Sequence, residues 1–393
     1  MRFELRPPEL GGTRGVIRFL HSGDWQLGMT RSVLGDEAQA RFAEARIAVV
    51  RALGELARAQ RCDFALVCGD VFESSQIERR TLARALEAIA SIPVPVYLLP
   101  GNHDPLDAAS VYRSAAFRDA APDHVHVLGD ACPRIVAPGV ELVGAPWLSR
   151  RPAQNPALGA LAELGPPGPL RILAAHGGVD ILTPDRRDAS LLPLAPIEEA
   201  IAAGSIHYAA LGDRHSKTRV GATGRIWYAG APEPTDFDER EPGHALVVEL
   251  DRAGVRVEPH AVGTWRFARP AALELAGPGD LDALADQLSD FDTKERTALR
   301  LELRGSLDLH GAARLEGLLE RARDLFAGLD VRSEELRIAA GADEVSELAL
   351  AGFAARAVAR LGAEASGDGA DAIVARDALA LLVRLAASPE AAQ

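Results

Sequence analysis

Lysine is almost absent from this chain of 393 residues, occurring only at Lys217 and Lys294. Positive charge is therefore carried by arginine, the better bidentate ligand for phosphate. Acid outweighs it, and the net charge is -13. That balance excludes a general polyanion binder, whose affinity comes from cationic side chains neutralising phosphates, but it leaves room for a local basic surface. Cysteine is scarce as well: Cys62, Cys68 and Cys132 are odd in number and not spaced as zinc ligands. They read as free or buried thiols in a reducing compartment. No run approaches the roughly 20 apolar residues that span a bilayer, and Met1 to Leu20 lacks the apolar centre of a signal peptide. A soluble, cytoplasmic chain without membrane contact is expected.

What is present is enough apolar content, 48%, for one large core and a smaller one. Short apolar runs at Ile17 to His21, Phe64 to Cys68, Val94 to Leu99, Val140 to Val143, Arg171 to Ala175 and Tyr208 to Leu211 each end in Gly, Asp, Asn or His. Helix-spaced apolar residues separate the first of them: Phe42, Val49, Val50, Leu53 and Leu56, then Leu82, Leu86 and Ile89. This alternation implies α/β layers with strands buried on both faces. In such sheets ligands sit beyond the carboxyl ends of strands, so the polar residues after several strands should converge.

Five of those ends carry chemistry: Ser22-Gly23-Asp24-Trp25-Gln26, Gly69-Asp70, Gly101-Asn102-His103-Asp104, His176-Gly177-Gly178 and Gly212-Asp213-Arg214-His215. Each alone is weak, because an Asp after a strand is more often a turn or N-cap residue than a ligand. In this order they are strong. The series resembles the calcineurin-like metallophosphoesterases over roughly residues 17 to 262. Within them, the run from Phe19 to Gly28 and the group Gly230, Glu233, Phe237, Glu239 and Gly243 are similar to SbcD-type DNA repair nuclease subunits.

The resemblance implies a metallophosphoesterase sandwich, two mixed sheets flanked by helices, with two divalent ions; Mn is expected at them and Mg is allowed. Asp24, Asp70, His215 and Gln26 would hold the first ion; Asp70, Asn102, His176 and Asp213 would hold the second. Asp70 would bridge them, and a hydroxide between the ions would attack the phosphodiester. His103 would protonate the leaving oxygen, with Asp104 behind it. Glycines 101, 177, 178 and 212 would let backbone and phosphate approach closely.

Two residues depart from that pattern: Gln26 and Asp213 stand where the family has histidine. Each exchanges an imidazole nitrogen for a hard oxygen donor, which favours Mn or Mg over Zn or Fe and points to one weak ion position near residue 26. Asp213 also makes the cage one charge less positive, weakening its pull on phosphate. Weaker candidates for substrate contact are Arg214, Arg150 and Arg151. Acids between Glu233 and Glu241 lie where the resemblance puts substrate-facing loops, and acid there should repel DNA.

The phosphoesterase domain is expected over residues 1–265 and a small α+β cap over 266–340, its strands at Ala271 to Leu275, Leu299 to Leu303 and Val331 to Ile338. C-terminal helices at 341–393 carry two apolar stripes, Leu350, Ala354, Ala357, Leu361 and then Val374, Ala378, Leu381, Leu382, Leu385. They are expected to pack on the cap or to grip a partner helix. The resemblance implies DNA and an SbcC-like coiled-coil ATPase as partners, and allows a homodimer. The function expected is that of a DNA exonuclease or endonuclease subunit. A small-molecule phosphodiesterase or phosphatase and a degenerate binding subunit remain the alternatives.

Overall fold

Every side chain of the strand Phe64–Cys68 is buried, as expected of a strand covered on both faces. The computed structural model describes residues 16–165, 167–183, 188, 190–338, 353–365, 367, 369–375 and 378–379. Among the described residues two compact units are present, one made of residues 16–30 with Ala40–Trp265, the other of Arg31–Gln39 with the described residues from Arg266 onward.

In the first unit, one sheet contains β1 (Ile17–Ser22), β2 (Phe64–Cys68), β3 (Val96–Leu99) and β4 (Val125–Val127), extended by β11 (His244–Leu250) and β12 (Val255–Ala261). Its order is β12-β11-β1-β2-β3-β4, parallel from β1 to β4 and antiparallel through β11 and β12. The other sheet contains β5 (Arg134–Ala137), β6 (Val140–Gly144), β7 (Leu170–His176), β8 (Tyr208–Gly212), β9 (Thr218–Val220) and β10 (Ile226–Tyr228). Its order is β5-β6-β7-β8-β10-β9, with antiparallel pairs only at its two edges.

Residue alternation builds the layers. Phe19, Phe64, Leu66 and Leu99 from one sheet meet Leu142, Ile172, Tyr208 and Ala210 from the other, forming the central core. The intervening residues Leu20, Ala65, Val67 and Leu98 face helices α1 (Asp36–Ala59) and α2 (Arg79–Ala90). On the far side, Val143, Leu173, Ala175 and Leu211 are covered by α4 (Pro156–Ala162) and α5 (Leu194–Ala202), which follow the short α3 (Ala115–Ala120). Two mixed sheets flanked by helices are thus observed.

The second unit is built on β15 (Thr297–Leu307), which pairs in parallel with β13 (Arg266–Ala268), β14 (Leu273–Leu275) and β16 (Gly328–Ile338). Leu299, Leu301 and Leu303 pack against α6 (Pro278–Ser289) and α7 (Leu309–Leu325). Alternate residues carry ion pairs, Arg300 with Asp330 at 2.6 Å and Arg269 with Glu302 at 2.7 Å.

Of the two expected C-terminal stripes, Leu350, Leu381, Leu382 and Leu385 lie outside the described residues. A helix at Phe353–Ala365 buries Val358 and Ala365 against Leu309, Ala312 and Ile338. Val374, expected on the second stripe, is exposed, and the buried side chains there are Ala372, Ala375 and Leu379. Among the described residues no helix is long and apolar enough to cross a membrane.

Candidate metal centre

Parallel strands deliver the polar loops to one end. The Cys68 carbonyl, at the last residue of β2, accepts a hydrogen bond from His176 Nδ1 at 2.8 Å, which joins the ends of strands in different sheets. Glycine is required for that approach. A Cβ on Gly212 would collide with the same carbonyl, and one on Gly101 would collide with Asp70 Oδ1. These two glycines therefore serve the close approach of backbone expected from the sequence, by packing one protein loop on another.

Strain and burial are concentrated here. Among the described residues, non-glycine backbones with positive φ occur at Asp24 (54°), Gln26 (42°), Asp70 (51°), Asp213 (98°) and, away from the site, Arg61 (53°). Such conformations cost about 1–3 kcal/mol each and persist only where the surroundings enforce them. Asp24 and Asp70 are buried, 0% and 2% exposed. Carboxylates removed from water require pairing or a cation.

Asp70 ties the loops together. Its Oδ1 accepts from the His103 backbone N–H at 2.9 Å, its Oδ2 lies 3.4 Å from His176 Nε2, and its carbonyl accepts from Gln26 N–H at 2.8 Å. Because His176 Nδ1 donates to a carbonyl, Nε2 carries the lone pair in the neutral ring. That atom lies 2.7 Å from Asn102 Oδ1 and 3.8 Å from Asp213 Oδ1. On the other side, Asp24 Oδ1 accepts from Asp213 N–H at 2.9 Å, whereas its Oδ2 is buried without a hydrogen-bond partner.

Gln26 and His215 form a second cluster. Glu239 and Thr235 hold His215 Nδ1 at 2.9 and 2.6 Å, and a carboxylate can only accept, so Nδ1 carries the proton. In the neutral ring, Nε2 then accepts from the Gln26 amide nitrogen at 3.2 Å. Gln26 Oε1 is left buried and unpaired. Two orphaned buried oxygens, Asp24 Oδ2 and Gln26 Oε1, together with ligand atoms of Asp24, Asp70 and His176 all within 4.8 Å of one another, fit a divalent cation. Oxygen predominates in this set, which suits a hard ion.

Asp104 corrects the reading of the sequence. Its buried carboxylate accepts from Gly101 N–H (2.8 Å), Phe72 N–H (3.0 Å) and Tyr112 O–H (2.6 Å). It thus clamps the Asp70 and Asn102 loops to each other. His103 is held instead by Glu73, whose carbonyl accepts from Nδ1 at 2.9 Å and whose Oε1 lies 3.9 Å away. A neighbouring acid in sequence was the available signal, but after a tight turn the adjacent side chains diverge, and Glu73 reaches His103 from the β2 loop.

The weaker arginine candidates separate. Arg214 Nε donates to Thr218 Oγ1 at 2.9 Å, a local structural contact. Arg150 reaches the His103 carbonyl at 3.5 Å, while Arg151 is exposed. Part of the expected acidic barrier is turned inward, while Asp238 and Glu241 stay exposed. Glu233 is fully buried on Thr264 and Trp265, Glu239 serves His215, and Glu241 pairs with Lys217 at 3.0 Å. Glu73, Tyr112, Thr235 and Glu239 are the supporting residues that motif spacing alone did not assign.

The family model for calcineurin-like phosphoesterases matches residues 17–248, more than half the chain, and the chain belongs to that family. It is a metal-dependent phosphoesterase. Among curated proteins it is similar to the SbcD subunit of the nuclease SbcCD from Rhodobacter capsulatus, 27% identical over 386 residues, covering 82% of this chain and 90% of that one. Similar solved structures include TT1561 of Thermus thermophilus (12% identity, TM-score 0.39, 63% of this chain and 99% of that one). A dimetal phosphatase from Danio rerio gives 12% identity and TM-score 0.39, covering 61% of this chain and 98% of its own. Purple acid phosphatase from yellow lupin gives 11% and 0.39, covering 63% and 52%.

Burial pushes the Asp24 carboxyl up to about 7, the surrounding histidines only partly opposing it. A raised carboxyl keeps its proton up to near neutrality, so protons compete with a cation below that pH. Mn2+ affinity, measured by calorimetry, should rise with pH through and above neutrality, because, against burial, the carboxylates around His176 and the Glu239 carboxylate on His215 hold both rings above their ordinary value and they too release protons on binding. It should fall at least about tenfold per unit below 7, with proton release that grows in parallel.

Proposed function

We propose that the chain is a Mn2+-dependent nuclease subunit that hydrolyses DNA phosphodiesters in the cytoplasm, as part of a repair complex with an SbcC-like coiled-coil ATPase. The observation that carries the chemistry is His103. Its Nδ1 proton is committed to the Glu73 carbonyl, so Nε2 is the atom free to exchange a proton, and the side chain is 37% exposed beside buried Asp70. In this reading Nε2 hands its proton to the leaving oxygen, with Glu73 fixing the tautomer.

Asp24, Gln26, Asp70 and His215 would hold one ion, and Asp70, Asn102, His176 and Asp213 a second. When bound, the ions supply an acidified water and neutralise phosphate charge. The oxygen-rich cage supports Mn, with Mg the closest substitute. DNA as substrate is supported by the curated nuclease relative, whose length this chain nearly spans. It is also supported by the inward commitment of Glu233 and Glu239, which takes two of the five acids out of the anionic barrier. In this reading Arg150, whose guanidinium reaches the His103 carbonyl, would meet a phosphate. Free Cys62, Cys68 and Cys132 suit a reducing cytoplasm.

Wild type, His103→Ala and Asp70→Asn should be compared on linear duplex DNA and on a chromogenic diester, with Mn2+. Loss of at least about 100-fold on both substrates in both variants is expected for a general acid and a shared ligand. Cleavage of the diester without DNA cleavage would indicate a small-molecule enzyme, and DNA cleavage surviving both substitutions would refute the site. Stoichiometric, non-exchangeable zinc in the purified protein would refute the choice of metal. Co-purification with a coiled-coil ATPase encoded beside it checks the partner, and its absence at stoichiometric expression counts against the complex.

A further inference from the structure

Helix α1 presents apolar residues to the core, Val50 and Leu53 among them, yet also buries Arg46 to 1% exposure. Removing a guanidinium from water costs several kcal/mol unless its hydrogen bonds are replaced, so its partners are informative. Nη1 donates to the Trp25 carbonyl at 2.9 Å, Nη2 to Met29 Sδ at 3.2 Å, and the group lies 4.8 Å from the Phe42 ring centroid. Trp25 stands between Asp24 and Gln26, the two residues of this loop forced to positive φ. A charge-assisted bond in a buried setting, made to the carbonyl between two strained residues, holds that loop in its less favoured shape.

The same charge acts on a second segment. Glu233 is fully buried, its carboxylate accepting from Thr264 N–H at 2.9 Å, Thr264 O–H at 2.8 Å and Trp265 N–H at 3.0 Å. Burial pushes its carboxyl above the usual range, and Arg46 is near enough to oppose that shift. Two and six residues further on, Thr235 and Glu239 grip His215 Nδ1. Arg46 therefore lies behind both arms of one half of the centre: Asp24 and Gln26 through Trp25, and His215 through the segment from Glu233 to Glu239. The other half has its own supports, the Cys68 carbonyl on His176 and the Asp104 clamp on the Asn102 loop.

We propose that Arg46 is a positioning residue that selectively pre-organises the ion position formed by Asp24, Gln26 and His215. This rests on the two-ion reading given above. Supports of this kind change metal affinity about 10- to 100-fold, and here the change should fall on one ion only.

The test is Mn2+ titration of the full chain by calorimetry and by electron paramagnetic resonance, on wild type, Arg46→Lys and Arg46→Met, with thermal unfolding of each in EDTA. Wild type should bind two ions in a tight and a weak step. Lysine keeps the charge but not the planar fork, so Arg46→Lys should weaken only the weak step by about 3- to 10-fold. Arg46→Met should weaken that step by about 10-fold or more and leave the tight step within about twofold. Arg46→Lys keeps the proposal open to refutation if the methionine variant does not fold. Both steps unchanged in a folded variant, or both weakened together with a lower unfolding temperature, would overturn the assignment. A single Mn2+ step in wild type would overturn the two-ion reading, and the assignment with it.

Discussion

Asp70 is the interaction on which the rest of the centre depends. One carboxylate oxygen fixes the backbone of His103, the other faces His176, and the backbone carbonyl holds Gln26. Three loops from two sheets are thereby referred to a single buried residue. Burial is the largest influence on the Asp70 carboxyl and would raise it, but His176 and His103 together outweigh burial and hold it below the usual carboxylate range. Asp24, without so direct a partner for its second oxygen, is pushed the other way. Two buried carboxyls with opposite shifts define a place where positive charge is needed.

The fold makes that arrangement possible by packing strand ends more closely than side chains would allow. Gly101 and Gly212 admit the contacts, and the central core of Phe19, Phe64, Leu66, Ile172 and Tyr208 keeps the two sheets in register behind them. Positive φ at Asp24, Gln26, Asp70 and Asp213 shows where conformational energy is stored. It is offset by packing elsewhere, and Arg46 at the Trp25 carbonyl is the most direct instance of such an offset. Asp104 and Tyr112 do comparable work on the Asn102 loop, stabilising its shape.

Most of the scaffold was legible in the sequence. Phe64 to Cys68 and Tyr208 to Leu211 are continuous apolar runs ended by Gly-Asp, a pattern that fixes both the strand and the direction of its last polar residues. Three-residue strands such as β4, β9 and β10 carry too little pattern to be seen, and β12, largely exposed, lacks the apolar content of its neighbours. In the site, residue types at the strand ends were readable, but the direction of side chains after tight turns was not. Asp104 adjoins His103 in sequence and turns away from it, while Glu73 comes from another loop. Likewise, the acids from Glu233 to Glu241 look like a charged surface until Glu233 and Glu239 are seen to be consumed internally.

A cage organised around one shared carboxylate differs measurably from two independent ion positions. Equilibrium dialysis with Mn2+ at pH 8 on wild type and Asp70→Asn separates them, because asparagine keeps the shape but loses the charge and one oxygen acceptor. If Asp70 serves both ions, wild type binds two Mn2+ per chain and Asp70→Asn weakens both steps by about 10-fold or more. Retention of either step at wild-type affinity in Asp70→Asn would contradict the account.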